Sequence, residues 1–96
     1  MGKRYKVEVS RNANKKLWEH VDFLTNVSET AAERLSIKLY ADIVSLAYMP
    51  HRYPLYRKKY RRMISAKHYI IIYTIVGDTV RVSDIQDGRG YSNGCD

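Results

Sequence analysis

Residues 60–85 read Tyr60-Arg61-Arg62-Met63-Ile64-Ser65-Ala66-Lys67-His68-Tyr69-Ile70-Ile71-Ile72-Tyr73-Thr74-Ile75-Val76-Gly77-Asp78-Thr79-Val80-Arg81-Val82-Ser83-Asp84-Ile85. Strands are expected at 60–64, 68–75 and 79–85, because β-branched and aromatic residues fill each stretch and a short turn separates it from the next. Gly77-Asp78 suits the second turn, since glycine accepts the positive φ that a two-residue hairpin requires. Ile70, Ile71 and Ile72 in succession predict a central strand covered on both faces; a strand with one wet face would alternate. The alternation slips at Ser83-Asp84-Ile85, which marks either a bulge or the strand's end.

Upstream, Tyr5-Lys6-Val7-Glu8-Val9 alternates with the period of a half-buried strand and ends at Ser10, a good helix N-cap. From Arg11 to about Asn26 the residues Ala13, Leu17, Val21 and Leu24 recur at helical spacing, with Trp18 read as packing beside Leu17. A second helix starts from Ser28, or from Thr30 with Glu33 as a capping box. Its stripe is Ala32, Leu35, Leu39, Ile43 and Leu46, and it runs to about Ala47 before Pro50 and Pro54 forbid further helix. So short a link between the helices predicts an antiparallel hairpin. The order is β-α-α-β-β-β: an α+β fold with a helical hairpin packed on one face of a four-stranded, mainly antiparallel sheet. Two helices cover only one face, so the other is left open and function is expected there. The chain is read as a single domain over residues 1–96, with a polar tail from about residue 90 to 96.

The formal net charge is +7, and its location is informative. Between Ile43 and Gly77 there is no acidic residue, yet Arg52, Arg57, Lys58, Lys59, Arg61, Arg62 and Lys67 lie there, enough to account for the whole imbalance. Six of the nine tyrosines share that stretch: Tyr48, Tyr53, Tyr56, Tyr60, Tyr69 and Tyr73. Cations interleaved with rings suit a polyanion, and they suit an acidic protein partner equally. Tyr56 and Tyr60 are the tyrosines expected to be exposed. No apolar run approaches the roughly 20 residues of a membrane span, and no cleavable leader is evident, so a cytoplasmic protein is expected. Cys95 is the only cysteine, which excludes an intramolecular disulfide and a cysteine-based zinc site. His20, His51 and His68 make no recognised metal spacing, and no cofactor motif is present.

The sequence of elements, together with Tyr60-Arg61-Arg62-Met63-Ile64, Tyr69-Ile70-Ile71-Ile72-Tyr73 and Asp84-Ile85-Gln86-Asp87-Gly88-Arg89, resembles the RelE/ParE superfamily of toxins. The resemblance covers nearly the whole chain. It implies a toxin of a type II toxin–antitoxin system, held inactive by a cognate antitoxin and, once freed, either cleaving mRNA on the ribosome or poisoning DNA gyrase. In the nuclease branch, cations stabilise the phosphate as a 2′-hydroxyl attacks and a proton carrier assists. Carried over by position, that set falls on Arg61, Met63, Ile70 and Arg89, with Tyr91 standing in for a C-terminal tyrosine. Arg61, Arg89 and Tyr91 would therefore be the catalytic residues of a nuclease.

An aliphatic side chain cannot stabilise a phosphorane, so Met63 and Ile70 tip the balance slightly towards gyrase poisoning or another non-nuclease action, with the ribosome-dependent mRNA endonuclease as the alternative. A plain nucleic-acid-binding module that does not arrest growth is a further reading. In each case the binding residues are expected to be Tyr56, Arg57, Lys58, Lys59, Tyr60, Arg61, Arg62 and Arg89, with Arg61 on the open face. A shift of one residue in register would exchange the roles of Arg61 and Arg62. The plainer reading of the basic stretch is a solvated connection, and that of Arg89 a salt bridge to Asp84 or Asp87.

Overall fold

A computed structural model describes residues 3–89. Its elements run β1 (Lys6–Val9), α1 (Arg11–Thr25), α2 (Glu29–Ser45), a 3-10 turn at Pro50–Arg52, β2 (Leu55–Arg57), β3 (Tyr60–Ser65), β4 (Tyr69–Val76) and β5 (Thr79–Asp87). The strands form one sheet in the order β1-β5-β4-β3-β2, with β1 parallel to β5 and the other neighbours antiparallel. The α+β class and the element order are as expected, and β4 is indeed the central strand. The sheet has five strands rather than four. The additional one, β2, lies in the basic stretch and pairs with β3 through an irregular register. Three exposed residues are too few for any alternation to announce them.

Each helix begins where a serine can cap it. The Ser10 hydroxyl accepts a hydrogen bond from the Ala13 N–H at 3.0 Å, and Ser28 accepts one from Ala31 at 3.2 Å. Ser28, not Thr30, therefore starts α2. Ala13, Leu17 and Val21 from α1 and Ala32, Leu35, Leu39 and Ile43 from α2 pack on Met63, Tyr69, Ile71, Tyr73, Val80, Val82 and Ile85 of the sheet. Trp18 packs on Tyr40, with ring centroids 6.2 Å apart, but lies outside the core and is 43% exposed.

The slip in β5 is a bulge. Tyr73 faces Val82 and Ile72 faces Asp84, so Ser83 has no partner across the ladder, and the strand continues to Asp87. Beyond Val82, where β1 has ended, α1 covers the outer edge of β5. The Asn12 amide donates to Ser83 O at 2.9 Å, and His20 Nε2 lies 2.8 Å from Ile85 O. His20 is thus a structural residue, half-buried against Tyr69.

Tyr73 ties the sheet to the segment that follows α2. Its buried hydroxyl donates to Pro50 O at 2.6 Å, and burial pushes its pKa from the ordinary 10.0 up to about 12. A folded-state pKa above the unfolded value means that this stabilisation is complete below pH 10 and is lost as the pH climbs towards 12. Tyr73→Phe is expected to lower stability at neutral pH by about 1–2 kcal/mol, because the Pro50 carbonyl loses its donor. The same variant should flatten the alkaline fall in urea-unfolding free energy; an undiminished fall would show that other groups cause it.

Candidate interaction face

The two sides of the sheet are sorted by the pairing of β3 with β4. Arg61, Met63 and Ser65 lie opposite Tyr73, Ile71 and Tyr69, and residues directly opposite share a face. Those β4 residues belong to the core under the helices, so Arg61 and Met63 face the helix-covered side. Met63 is 5% exposed. The expectation that Arg61 stands on the open face is therefore corrected. Arg61 instead secures the chain after α2: Nη1 donates to His51 O at 3.1 Å and to Tyr53 O at 2.6 Å. A guanidinium at the end of a strand can turn to nearby carbonyls and so tolerate a phase that would bury it further in.

Arg62 and Ile64, opposite Ile72 and Ile70, form the open-face row of β3. The Arg62 guanidinium lies over the Tyr56 ring at 5.4 Å, and the Lys59 ammonium over the Tyr60 ring at 5.9 Å. The aromatic rings offer their negative faces to the cations and hold them along the β2–β3 edge. Tyr56 is exposed and Tyr60 half-buried. Arg57, Lys58 and Lys59 are exposed around the turn, where Lys58 takes φ 46°, and the Thr74 hydroxyl donates to Lys59 O at 3.2 Å. The cations are thus gathered along one edge. Towards the middle the face turns apolar: Ile64 is 56% exposed beside half-buried Ile70. Next to them Ile72 shares a shallow hollow with Tyr56, Tyr60, Asp84 and Gln86.

The structure does not bring Arg61 and Arg89 together. Arg61 sits at the level of Tyr73, whereas Arg89 follows Asp87, the partner of Tyr69. That is an offset of four residues, or roughly 13 Å, along the strand direction. Arg89 makes the pair with Asp87 that was one of its plainer readings: Nη2 is 3.5 Å from Oδ2, and its backbone N–H donates to Oδ1 at 3.0 Å. Burial opposes ionisation of Asp87, but the hydrogen bonds and charge of Arg89 outweigh it and hold the carboxyl below its usual range. His68 Nε2 is buried without a hydrogen-bond partner, 3.9 Å from Asp87 Oδ1. Burial, with Arg89 and Lys67 adding to it, pushes the imidazole pKa down. Tyr91 lies outside the described residues. Among the described residues no group of histidine, cysteine and carboxylate side chains could hold a metal.

Sequence reasoning passed over Ile64 on this face. Nothing marked it, because Met63 and Ile64 are both apolar and either could have been the buried one.

Comparison with known proteins follows the same lines. A family model described as "ParE toxin of type II toxin-antitoxin system, parDE" matches residues 7–90. Among solved structures, the chain is similar to the "Chromosomal ParDE TA system from P. aeruginosa", with a TM-score of 0.76 over 88% of this chain and 96% of that one. At 11% sequence identity this is a likeness of fold. No curated protein matches the chain.

The contrast between the adjacent arginines is directly measurable. Arg61→Ala should destabilise the domain by about 1–3 kcal/mol, by leaving two loop carbonyls without their charged donor. Arg62→Ala should change stability by less than about 0.5 kcal/mol. Urea unfolding of both variants checks this, and equal effects would mean that the two side chains are misassigned to their faces.

Proposed function

The chain belongs to the ParE toxin family, and from that membership we propose that it arrests growth by acting on DNA gyrase, in the cytoplasm, rather than by cutting mRNA. One observation carries the choice of target: Ile64 and Ile70 occupy the middle of the open face, with Arg62 at its edge. Cleavage by a 2′-hydroxyl builds negative charge on a phosphate, and stabilising it takes several converging donors. Here the centre offers hydrocarbon. A protein surface is the better complement, since tyrosine, arginine and exposed aliphatic groups are the residues that anchor protein interfaces. The exposed Tyr56 and Arg62, stacked on each other and flanked by Arg57 and Lys59, would form the contact, with Ile64 as its apolar centre. The toxin is proposed to be neutralised by a cognate antitoxin, as membership of a toxin–antitoxin family and likeness to a ParDE structure both imply.

Inducing the chain in a bacterial host is expected to stop growth with trapped double-strand breaks and a DNA-damage response. Primer extension should find no new mRNA ends inside codons. The double variant Arg62→Glu/Ile64→Asp should keep the fold by circular dichroism and lose the arrest. Codon-internal cleavage without DNA breaks would overturn the proposal in favour of the ribonuclease. Growth unaffected by expression, together with steeply salt-dependent nucleic-acid binding, would favour a binding module.

A further inference from the structure

A second cationic site lies at the opposite end of the sheet from the Arg57–Lys59 turn. Between α2 and the β3–β4 turn there is a cleft of about 470 Å³, a size that accommodates a bulky side chain. Its floor is apolar, made by Leu24, Leu35 and Tyr69, and its lips carry Arg34, Lys38, Lys67 and Arg89. No acidic side chain lines it. Lys38 is answered by Asp42 at 3.2 Å and Arg89 by Asp87 at 3.5 Å. Arg34 and Lys67 have no ion pair among the described residues, so positive potential is left facing outward from both lips.

The walls are preformed. Ser65, at the end of β3, donates to Asp42 of α2 at 2.6 Å, pinning the strand to the helix. On the far side the Gly88 N–H donates to His68 O at 2.7 Å, an approach so close that a Cβ at position 88 would meet that same oxygen at 2.7 Å. Between these anchors the turn holds Ala66 at φ 49° and Lys67 at φ 74°. Neither is glycine, the residue that enters the left-handed region most readily. Positive φ is what a tight β-hairpin turn requires, and here it sets Lys67 at the rim of the cleft.

We propose that this cleft is the docking slot for an acidic peptide segment, which inserts one apolar side chain between Leu24, Leu35 and Tyr69 and sets flanking carboxylates against Arg34 and Lys67. Charge complementarity points to this occupant: the lips favour anions, while aliphatic Leu24 and Leu35 in the floor suit an apolar side chain better than the polar edge of a base. The name of the partner alone rests on the toxin reading, in which the segment belongs to the antitoxin; the slot rests on its own geometry.

The direct test is a titration of the full-length, isotope-labelled chain, made by cell-free synthesis, with a five-residue peptide whose central leucine is flanked by glutamates. Amide shifts are expected at Ala31, Lys38, Lys67 and Tyr69. Affinity should fall by about tenfold in Arg34→Glu/Lys67→Glu and be kept in Arg34→Lys/Lys67→Arg, with strong salt dependence. The proposal is overturned by absence of binding, by shifts confined to Arg57–Arg62, by equal affinity of the charge-reversed variant, or by preference for a lysine-flanked peptide or a single-stranded oligonucleotide. It is overturned too if only a chain ending at Arg89 binds, since residues 90–96 would then be the occupant. In cells, the charge-reversed variant should still arrest growth but escape rescue by the cognate antitoxin. If the unaltered chain does not arrest growth, the toxin reading fails while the titration still decides the slot.

Discussion

The unpaired Ser83 governs how this sheet meets its helices. Val80 and Val82 face the core in ordinary alternation, and without an extra residue Ile85 would point to the open face. The bulge restores Ile85 to the helical side and carries β5 on to Asp87. It also places the Ser83 carbonyl within reach of Asn12. One inserted residue therefore lets a nine-residue strand keep a single buried face and dock against α1.

Much of this was written in the chain. The stripes at Ala13-Leu17-Val21 and Leu35-Leu39-Ile43 determine two helices, because each buries one line of side chains against the sheet. The isoleucine run of β4 is explained by its position between two neighbours, with the hairpin above and the tyrosine-lined hollow below. What was not legible was the facing of β3. Side-chain direction in a strand depends on parity alone, and Met63-Ile64 gives an apolar residue to either parity. Only pairing with β4 decides, and it sends Arg61 inward and Arg62 outward. Trp18 packs outside the core for a related reason: neighbouring Leu17 satisfies the buried stripe, leaving the indole a quarter turn away against Tyr40.

The basic stretch also proves to be several things at once. Arg61 is a brace for the Pro50–Tyr53 loop, and Arg52 rests against the Tyr53 ring at 5.0 Å. Lys67 stands at the far end of the sheet. What remains for the open face is Arg57, Lys58, Lys59 and Arg62, a cationic margin beside an apolar centre. Counting charges along a sequence overstates such a surface, because a β-hairpin sends consecutive residues to different sides and its two ends to different places.

The margins of the sheet are short or braced. Exposed strand edges are templates for pairing with other chains. Here β5 beyond Val82 is closed by Asn12 and His20, and the Tyr5 N–H at the start of β1 donates to Ala47 O at 2.8 Å. At the other margin β2 is three residues long and follows Pro54. A copy of this protein travelling without a companion therefore offers other chains only short stretches of edge backbone, Lys6–Val9 of β1 and Leu55–Arg57 of β2, on which a fibril or a strand-exchanged aggregate could nucleate.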